Sequence, residues 1–210
     1  MLAATSGLYN RLNAKSGNSE ATAAQDTKEK EKEDYIQSRN NVLYQLEINY
    51  RWSPIVFDAR GNDGLSEDDL KAHAYEGYNA GDVRAGDRAP NAPALVSGDG
   101  TESALFDLFK PTHHTVLVFA PRGDEAEILQ AIQIYPSGTV QTVVLGKDAV
   151  PQTVDGAESY HDKEGHAYRA YQVDGDTVTI VVVRPDGYVG AVVYDITGLE
   201  TYFSRIFRGF

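Results

Sequence analysis

Over the first 40 residues polar and apolar positions follow no sustained period, and residues 26–34 read DTKEKEKED, acid against base with no apolar side chain. Such a run cannot join a core. It predicts a solvated helix face or a disordered insertion. In residues 42–58, VLYQLEINYRWSPIVFD, Leu46, Ile48, Tyr50 and Trp52 alternate with polar neighbours. Period two predicts a half-buried strand. Ser53-Pro54 ends it, because proline cannot donate to a ladder. The strand should pack on the main sheet or on a second copy, since Tyr50 and Trp52 on a free edge would invite aggregation. Residues 59–89 are rich in Gly, Asp and Asn and read as a long surface connection. One short helix is expected there, with Ser66 as N-cap and Asp68 and Asp69 in its first turn.

From residue 90 the pattern tightens. Residues 94–96 are a short apolar run, and TESALFDLFK (101–110) reads as a short strand or a helical turn around Leu105, Phe106, Leu108 and Phe109. TVLVFA (115–120) is continuously apolar, the mark of a strand covered on both faces. Residues 123–134 place Ile128, Leu129 and Ile132 at helical spacing, with Asp124 and Glu125 in the first turn. GTVQTVVL (138–145) is a second buried strand, residues 157–170 are polar with helix as the available reading, and TVTIVVV (177–183) is a third strand. Arg184-Pro185-Asp186-Gly187 has turn chemistry, proline setting φ and glycine allowing positive φ. YVGAVVY (188–194) then returns antiparallel, and a closing helix over 198–208 carries Leu199, Tyr202, Phe203, Ile206 and Phe207 on one face. A right-handed β-α-β crossover followed by a hairpin and a helix is the thioredoxin topology. The predicted class is therefore α/β, a thioredoxin-like mixed sheet with flanking helices, plus an N-terminal extension.

Composition narrows the function. The chain has 210 residues and a formal net charge of −12, which argues against nucleic acid or an anionic membrane as partner, since both need a basic face. No apolar run approaches the roughly 20 residues of a membrane span, and the N-terminus lacks a secretory pattern, so a cytoplasmic location is expected. There is no cysteine. That removes disulfides, thiolate nucleophiles and a Cys-x-x-Cys redox pair. His113 and His114 precede a strand, where neighbours face opposite ways, so they should not share a ligand. His161 and His166, with Asp162 and Glu164, do not match a zinc spacing, and no metal is expected. Thirteen tyrosines, among them Tyr160, Tyr168, Tyr171, Tyr188, Tyr194 and Tyr202, either line a pocket for an aromatic small molecule or cover edges and interfaces. Neither a Gly-x-Ser-x-Gly elbow nor a P-loop is present.

Five stretches carry a family likeness: YRWSPIVFDAR (50–60), VRAGDRAPNAPAL (83–95), GTESALFDLF (100–109), HHTVLVF (113–119) and VVVRPDGYVGAVV (181–193). In this order and spacing they resemble the C-terminal part of FAD-dependent aromatic hydroxylases of the phenol 2-monooxygenase type, over about residues 42–210. The resemblance implies a thioredoxin-like domain without redox cysteines, associated with subunit contacts. It also implies a division into residues 1–60, resembling the tail of a flavin and substrate domain, a linker over 61–89, and the thioredoxin-like domain over 90–210. The family's Gly-x-Gly-x-x-Gly loop, which brings backbone onto a pyrophosphate, has no counterpart here. Gly81-Asp82 and Gly86-Asp87 lie in the linker motif rather than after a strand. No flavin-binding residue transfers, and no cofactor is expected.

Three functional expectations follow. The first is a non-flavin, non-redox assembly or partner-binding module of aromatic or polyketide metabolism, paired with itself or with a partner monooxygenase. The second is a cofactor-independent cyclase, isomerase or pericyclase, for which His113, His114, His161, Tyr168 and Asp186 are the candidate acid–base groups. The third is a piece of a complete hydroxylase.

Overall fold

The structure, a computed structural model, describes residues 48–61, 64–75, 82–119, 125–151 and 155–207. The charged run at 26–34, Leu46, Asp124 and Arg208 lie outside them. In chain order the elements are β1 (Phe57–Asp58), α1 (Glu67–Ala72), β2 (Leu95–Ser97), β3 (Glu102–Ser103), α2 (Leu105–Leu108), β4 (His114–Phe119), α3 (Glu125–Ile132), β5 (Val140–Gly146), β6 (Ala157–Asp162), α4 (His166–Ala170), β7 (Thr179–Val183), β8 (Val189–Val193) and α5 (Ile196–Ile206).

The strands form one sheet in the order β1-β8-β7-β4-β5-β6-β2-β3. β5 runs parallel to β4, β7 antiparallel to β4, and β8 antiparallel to β7. With α3 joining β4 to β5 and α5 following β8, this is the thioredoxin-like arrangement that the pattern predicts. All six residues of β4 and all five of β7 and β8 are buried, as continuous apolar runs require of strands covered on both faces.

Alternation sorts the side chains into two cores. One face holds Leu117, Phe119, Val143, Leu145, Val181 and Val183 under Leu105, Tyr168 and Tyr171. The other holds Val116, Val118, Val144, Ile180 and Val182 under α3 and α5, which supply Ile128, Ile132, Leu199, Tyr202 and Phe203. Each fully buried aliphatic side chain is worth roughly 1.5–3 kcal/mol. Asp195 starts α5 by accepting from the Gly198 N–H at 2.7 Å.

Three expectations need correction. Residues 157–170 are not one helix: they give β6, then α4. Their polar composition hides a period-two alternation in which Tyr160 and Asp162 are buried on one face. The half-buried strand expected at 46–52 does not form in its described part. Residues 48–50 are irregular and Arg51-Trp52 is a turn, closed by the Ser53 N–H donating to the Tyr50 carbonyl at 2.9 Å. Asn49 N–H donates to the Ala74 carbonyl and Tyr50 N–H to the Gly86 carbonyl, so the backbone is satisfied by loops rather than by a ladder. The tyrosine is still covered, its ring centroid 4.8 Å from that of Tyr188.

The third correction concerns the surface connection. α1 has the expected Ser66 cap, as a capping box with Asp69, but Val83, Ala85, Asp87 and Ala89 are buried. The Gly86 N–H donates to the Val189 carbonyl at 2.7 Å, and the Val189 N–H to the Asp87 carbonyl at 2.8 Å. Gly86 has φ +101°, and a Cβ there would stand 2.4 Å from the Arg51 backbone nitrogen, so only glycine lets the two segments touch. The Arg51–Asp87 ion pair, at 2.7 Å, fastens them, and the Arg60–Asp58 pair, also at 2.7 Å, reaches across through Arg60 donating to the Val83 carbonyl and Asp58 accepting from the Ala85 N–H. Among the described residues no helix is long and apolar enough to cross a membrane.

Candidate functional site

The structure distributes the five candidate residues over both faces of the sheet. His114 lies on the face under α5, its ring 5.7 Å from Phe203, 6.0 Å from Phe207 and 6.1 Å from Tyr202, all edge-on. Burial there, with Arg184 nearby, pushes its pKa down to about 4.

His113 faces the other way, as alternation predicts. Its Nε2 is 2.7 Å from Gln141 Oε1 and its Nδ1 3.1 Å from the Thr112 hydroxyl. The Gln141 amide donates to Glu158, and the Tyr160 hydroxyl donates to the same carboxylate at 2.8 Å. A polar row thus crosses from the start of β4 over β5 to β6. Burial, followed by the Glu158 contact, pushes Tyr160 up to about 12.

His161 stands half-buried on β6, opposite Val96 of β2 and Gly146 of β5. Tyr168, on α4, packs edge-on against Phe119 at 5.1 Å and donates its hydroxyl to the Leu145 carbonyl at 2.9 Å. Burial pushes it to about 12. Asp186 is exposed in the β7–β8 turn, paired with Arg184. Of the other four, Asp186 and His113 act electrostatically on His114. His161 and Tyr168 belong to separate surroundings.

The tyrosines are equally scattered. Tyr171 donates to the Pro90 carbonyl at 2.9 Å, and Tyr188 pairs with Tyr50 and lies under Arg88. Tyr202 is fully buried with a hydroxyl that has no hydrogen-bond partner, and burial drives its pKa well up. Among the described residues no three His, Asp or Glu side chains converge on a point where a metal ion could sit.

Grooves of contrasting character indent the described surface. One, of about 220 Å³, is polar and lies among Arg51, Trp52, Pro54, Asp58, Glu67 and Leu70. The other, of about 320 Å³, runs between the end of α3 and β5, where Leu129, Ile132, Tyr135, Pro136, Val140 and Thr142 line it with no charged side chain in its wall. None of the five candidates lines either groove. Tyr135 lines the second groove. Its ring is 4.7 Å from Phe203 and stacks on Phe207 at 5.1 Å. Between the lining residues Gln133 and Tyr135, Ile134 is 56% exposed. The tyrosine pattern alone passed over Tyr135. The available signal was the Ile-Tyr-Pro-Ser-Gly string, in which apolar residues continue past the last helical turn into a proline.

Sheet order, crossover and hairpin together define a thioredoxin-like domain, in a chain without cysteine. Residues 114–209, β4 to the end of α5, match the family described as phenol hydroxylase, C-terminal dimerisation domain. The chain is accordingly similar to the C-terminal dimerisation domain of phenol hydroxylase-type flavin monooxygenases, as its sequence stretches suggested. It is 26% identical over 164 residues to a flavin-dependent monooxygenase of Mycobacteroides abscessus, covering 78% of this chain and 23% of that protein. Among solved structures, aklavinone-11 hydroxylase in its ternary complex with FAD and aklavinone matches with a TM-score of 0.54 at 20% identity, over 77% of this chain and 26% of that one. The flavin-dependent monooxygenase PieE, in complex with FAD and substrate, matches with a TM-score of 0.51 at 20% identity and the same coverage. These structures show a shared fold. The chain spans about a quarter of the length of each of these relatives.

Among the described residues, the linker-motif pair Gly86-Asp87 does not fit an FAD cradle, because it is turned inward. Gly86 is closed by the Arg51 backbone, and the fully buried Asp87 carboxylate accepts from the Arg51 guanidinium and the Arg84 N–H. Neither group is open to a ribose or a pyrophosphate.

Proposed function

We propose that this chain acts as an assembly module, pairing with a second copy of itself or with a flavin monooxygenase chain and performing no redox chemistry of its own. The reading rests on one observation: the match to a dimerisation domain spans the thioredoxin-like core from β4 to α5. It gains support from the scatter of His113, His114, His161, Tyr168 and Asp186, which share neither described groove. General acid–base work needs such groups within hydrogen-bond reach of one substrate atom. A setting in aromatic or polyketide metabolism is carried over from the resemblance to aromatic hydroxylases.

Sedimentation velocity over about 1–100 µM tests this, a range that brackets micromolar association. The expected result is a concentration-dependent dimer, or a stable complex with a flavin monooxygenase chain. A monomer at every concentration that also ignores such a chain overturns the reading.

A further inference from the structure

We propose that the polar groove at the Arg51-Trp52 turn is a binding site for a small monocarboxylate with a flat apolar body, whether or not the chain assembles.

The groove is organised around one guanidinium. The turn closed by Tyr50 and Ser53 brings Arg51 and Trp52, neighbours in the chain, into the same wall. Arg51 Nε and Nη2 each donate to the Asp87 carboxylate at 2.7 Å. Asp87 is fully buried and also accepts from the Arg84 N–H at 2.8 Å. One edge of the guanidinium fork is thereby used, and its plane is fixed. Among the described residues Nη1 meets no acceptor, and the side chain is 26% exposed where it lines the groove. A buried ion pair adds little stability over apolar residues of similar size. Here it holds a cation in position at a surface groove before anything binds, which lowers the ordering cost of recognition. The N–H groups of Nη1 suit a carboxylate oxygen.

The rest of the lining is flat and apolar. Trp52 is half-buried. Tyr50 meets its ring edge-on at 6.4 Å, and the Lys71 ammonium lies 5.8 Å from the ring centre. These two neighbours order the indole, and Pro54, Val56 and Leu70 continue the apolar surface. An aromatic ring gains from such a wall by offset stacking or edge contact. The groove offers about 220 Å³, against roughly 150 Å³ for a cavity that takes benzene. It has room for one ring and one small substituent.

Charge sets the selectivity. Asp58 and Glu67 also line the wall, but each is matched, Asp58 by Arg60 and Glu67 by Lys71. A single carboxylate reaching Nη1 finds an unused donor. A second negative charge on the same ligand would stand beside the two wall carboxylates and be repelled.

The test uses the full chain at pH 7 and its single tryptophan, Trp52, whose fluorescence reports on the groove directly. Benzoate should change the emission saturably, with a Kd of about 1 mM or tighter. Benzyl alcohol, which lacks the charge, and phthalate, which doubles it, should bind at least about fivefold more weakly. Cyclohexanecarboxylate, which lacks the flat ring, should bind at least about threefold more weakly. By calorimetry, Arg51→Lys, which keeps a charge beside Asp87 but removes Nη1, and Trp52→Leu should each weaken benzoate at least about fivefold. Glu67→Gln loses only an exposed pair with Lys71, so it stays folded, and it should tighten phthalate at least about threefold. If Arg51→Lys does not fold, Trp52→Leu and Glu67→Gln decide the matter. No saturable response up to about 20 mM benzoate, twenty times the expected Kd, overturns the proposal. Equal binding of benzyl alcohol, or benzoate affinity unchanged in the folded wall variants, does the same. Phthalate affinity unchanged in Glu67→Gln overturns the preference for a single charge. Sedimentation of the parent without ligand reads assembly separately, so neither conclusion can fail in the other's place.

Discussion

Lowering the pH should unfold this protein through one histidine. His114 sits 8% exposed among Tyr202, Phe203 and Phe207, with Arg184 adding positive charge, and its pKa lies at about 4 rather than its ordinary 6.5. Asp186 and the Thr139 carbonyl partly offset that shift, and His113 adds to it. The native state therefore holds His114 neutral while the unfolded chain takes up a proton, so the unfolded state binds more protons between pH 6.5 and 4. Stability from this residue is complete above pH 6.5, declines as pH falls through that window, and levels off below about 4. A difference of roughly 2.5 units corresponds to about 3 kcal/mol, a large part of a typical domain's stability. Carboxylates titrate in part of the same window, so the measurement is a difference. Urea unfolding is followed at pH steps for the parent and for His114→Phe, which keeps an aromatic ring in the cluster. The parent should lose about 3 kcal/mol more than the variant between pH 7 and pH 4. Parallel curves, or an NMR titration of His114 near 6.5, would refute the reasoning.

Three further outcomes are expected. A Cβ at Gly190 would lie 2.2 Å from the Tyr202 hydroxyl oxygen and 2.6 Å from its Cζ. Gly190→Ala should therefore cost about 2 kcal/mol in urea unfolding, and Tyr202→Phe, which removes a buried hydroxyl without a partner, should be neutral or stabilising and should recover part of that loss. A Tyr202→Phe loss above about 2 kcal/mol would show that the hydroxyl is bonded. Arg51→Met leaves the fully buried Asp87 carboxylate without its two 2.7 Å guanidinium bonds. The expected loss is about 3 kcal/mol, at the low end for a broken buried pair because Arg51 is about a quarter exposed. A chain beginning at residue 48 should unfold cooperatively, and one beginning at residue 90 should melt lower, because Val83, Ala85, Asp87 and Ala89 complete the core beside β8. Equal circular-dichroism melts for the two would place the folding boundary at 90.

Legibility tracked burial. Strands β4, β7 and β8 stood out because both faces are covered, so every position is apolar and the run needs no partner to be recognised. The hairpin turn at 184–187 and the cap at Ser66 rest on local chemistry, which sequence expresses directly. Strand β6 was hidden because its exposed positions are polar and its buried Asp162 is also polar. That carboxylate accepts from the His166 and Tyr168 N–H groups at the start of α4, a role invisible until the strand and helix are placed together. The alternation at 46–52 pointed to a ladder, but Asn49 and Tyr50 bond to Ala74 and Gly86 instead. Those partners lie 25 and 36 residues away, beyond any local pattern. Among the candidate residues, the opposite facing of His113 and His114 followed from strand geometry. The row linking His113 to Gln141, Glu158 and Tyr160 joins three strands and had no local signature.

The amino-acid order alone settled that the strands β4, β5, β7 and β8 must be covered, that the chain turns at 184–187, and that thiol chemistry is excluded, because apolar runs, turn residues and the lack of cysteine are properties of the chain itself. Tertiary structure alone decided that residues 82–89 belong to the core, that His113 joins a polar row across three strands, and that Tyr135 lines an uncharged groove. Those are contacts between distant segments, and their energies depend on which surfaces the folded sheet brings within a few ångströms.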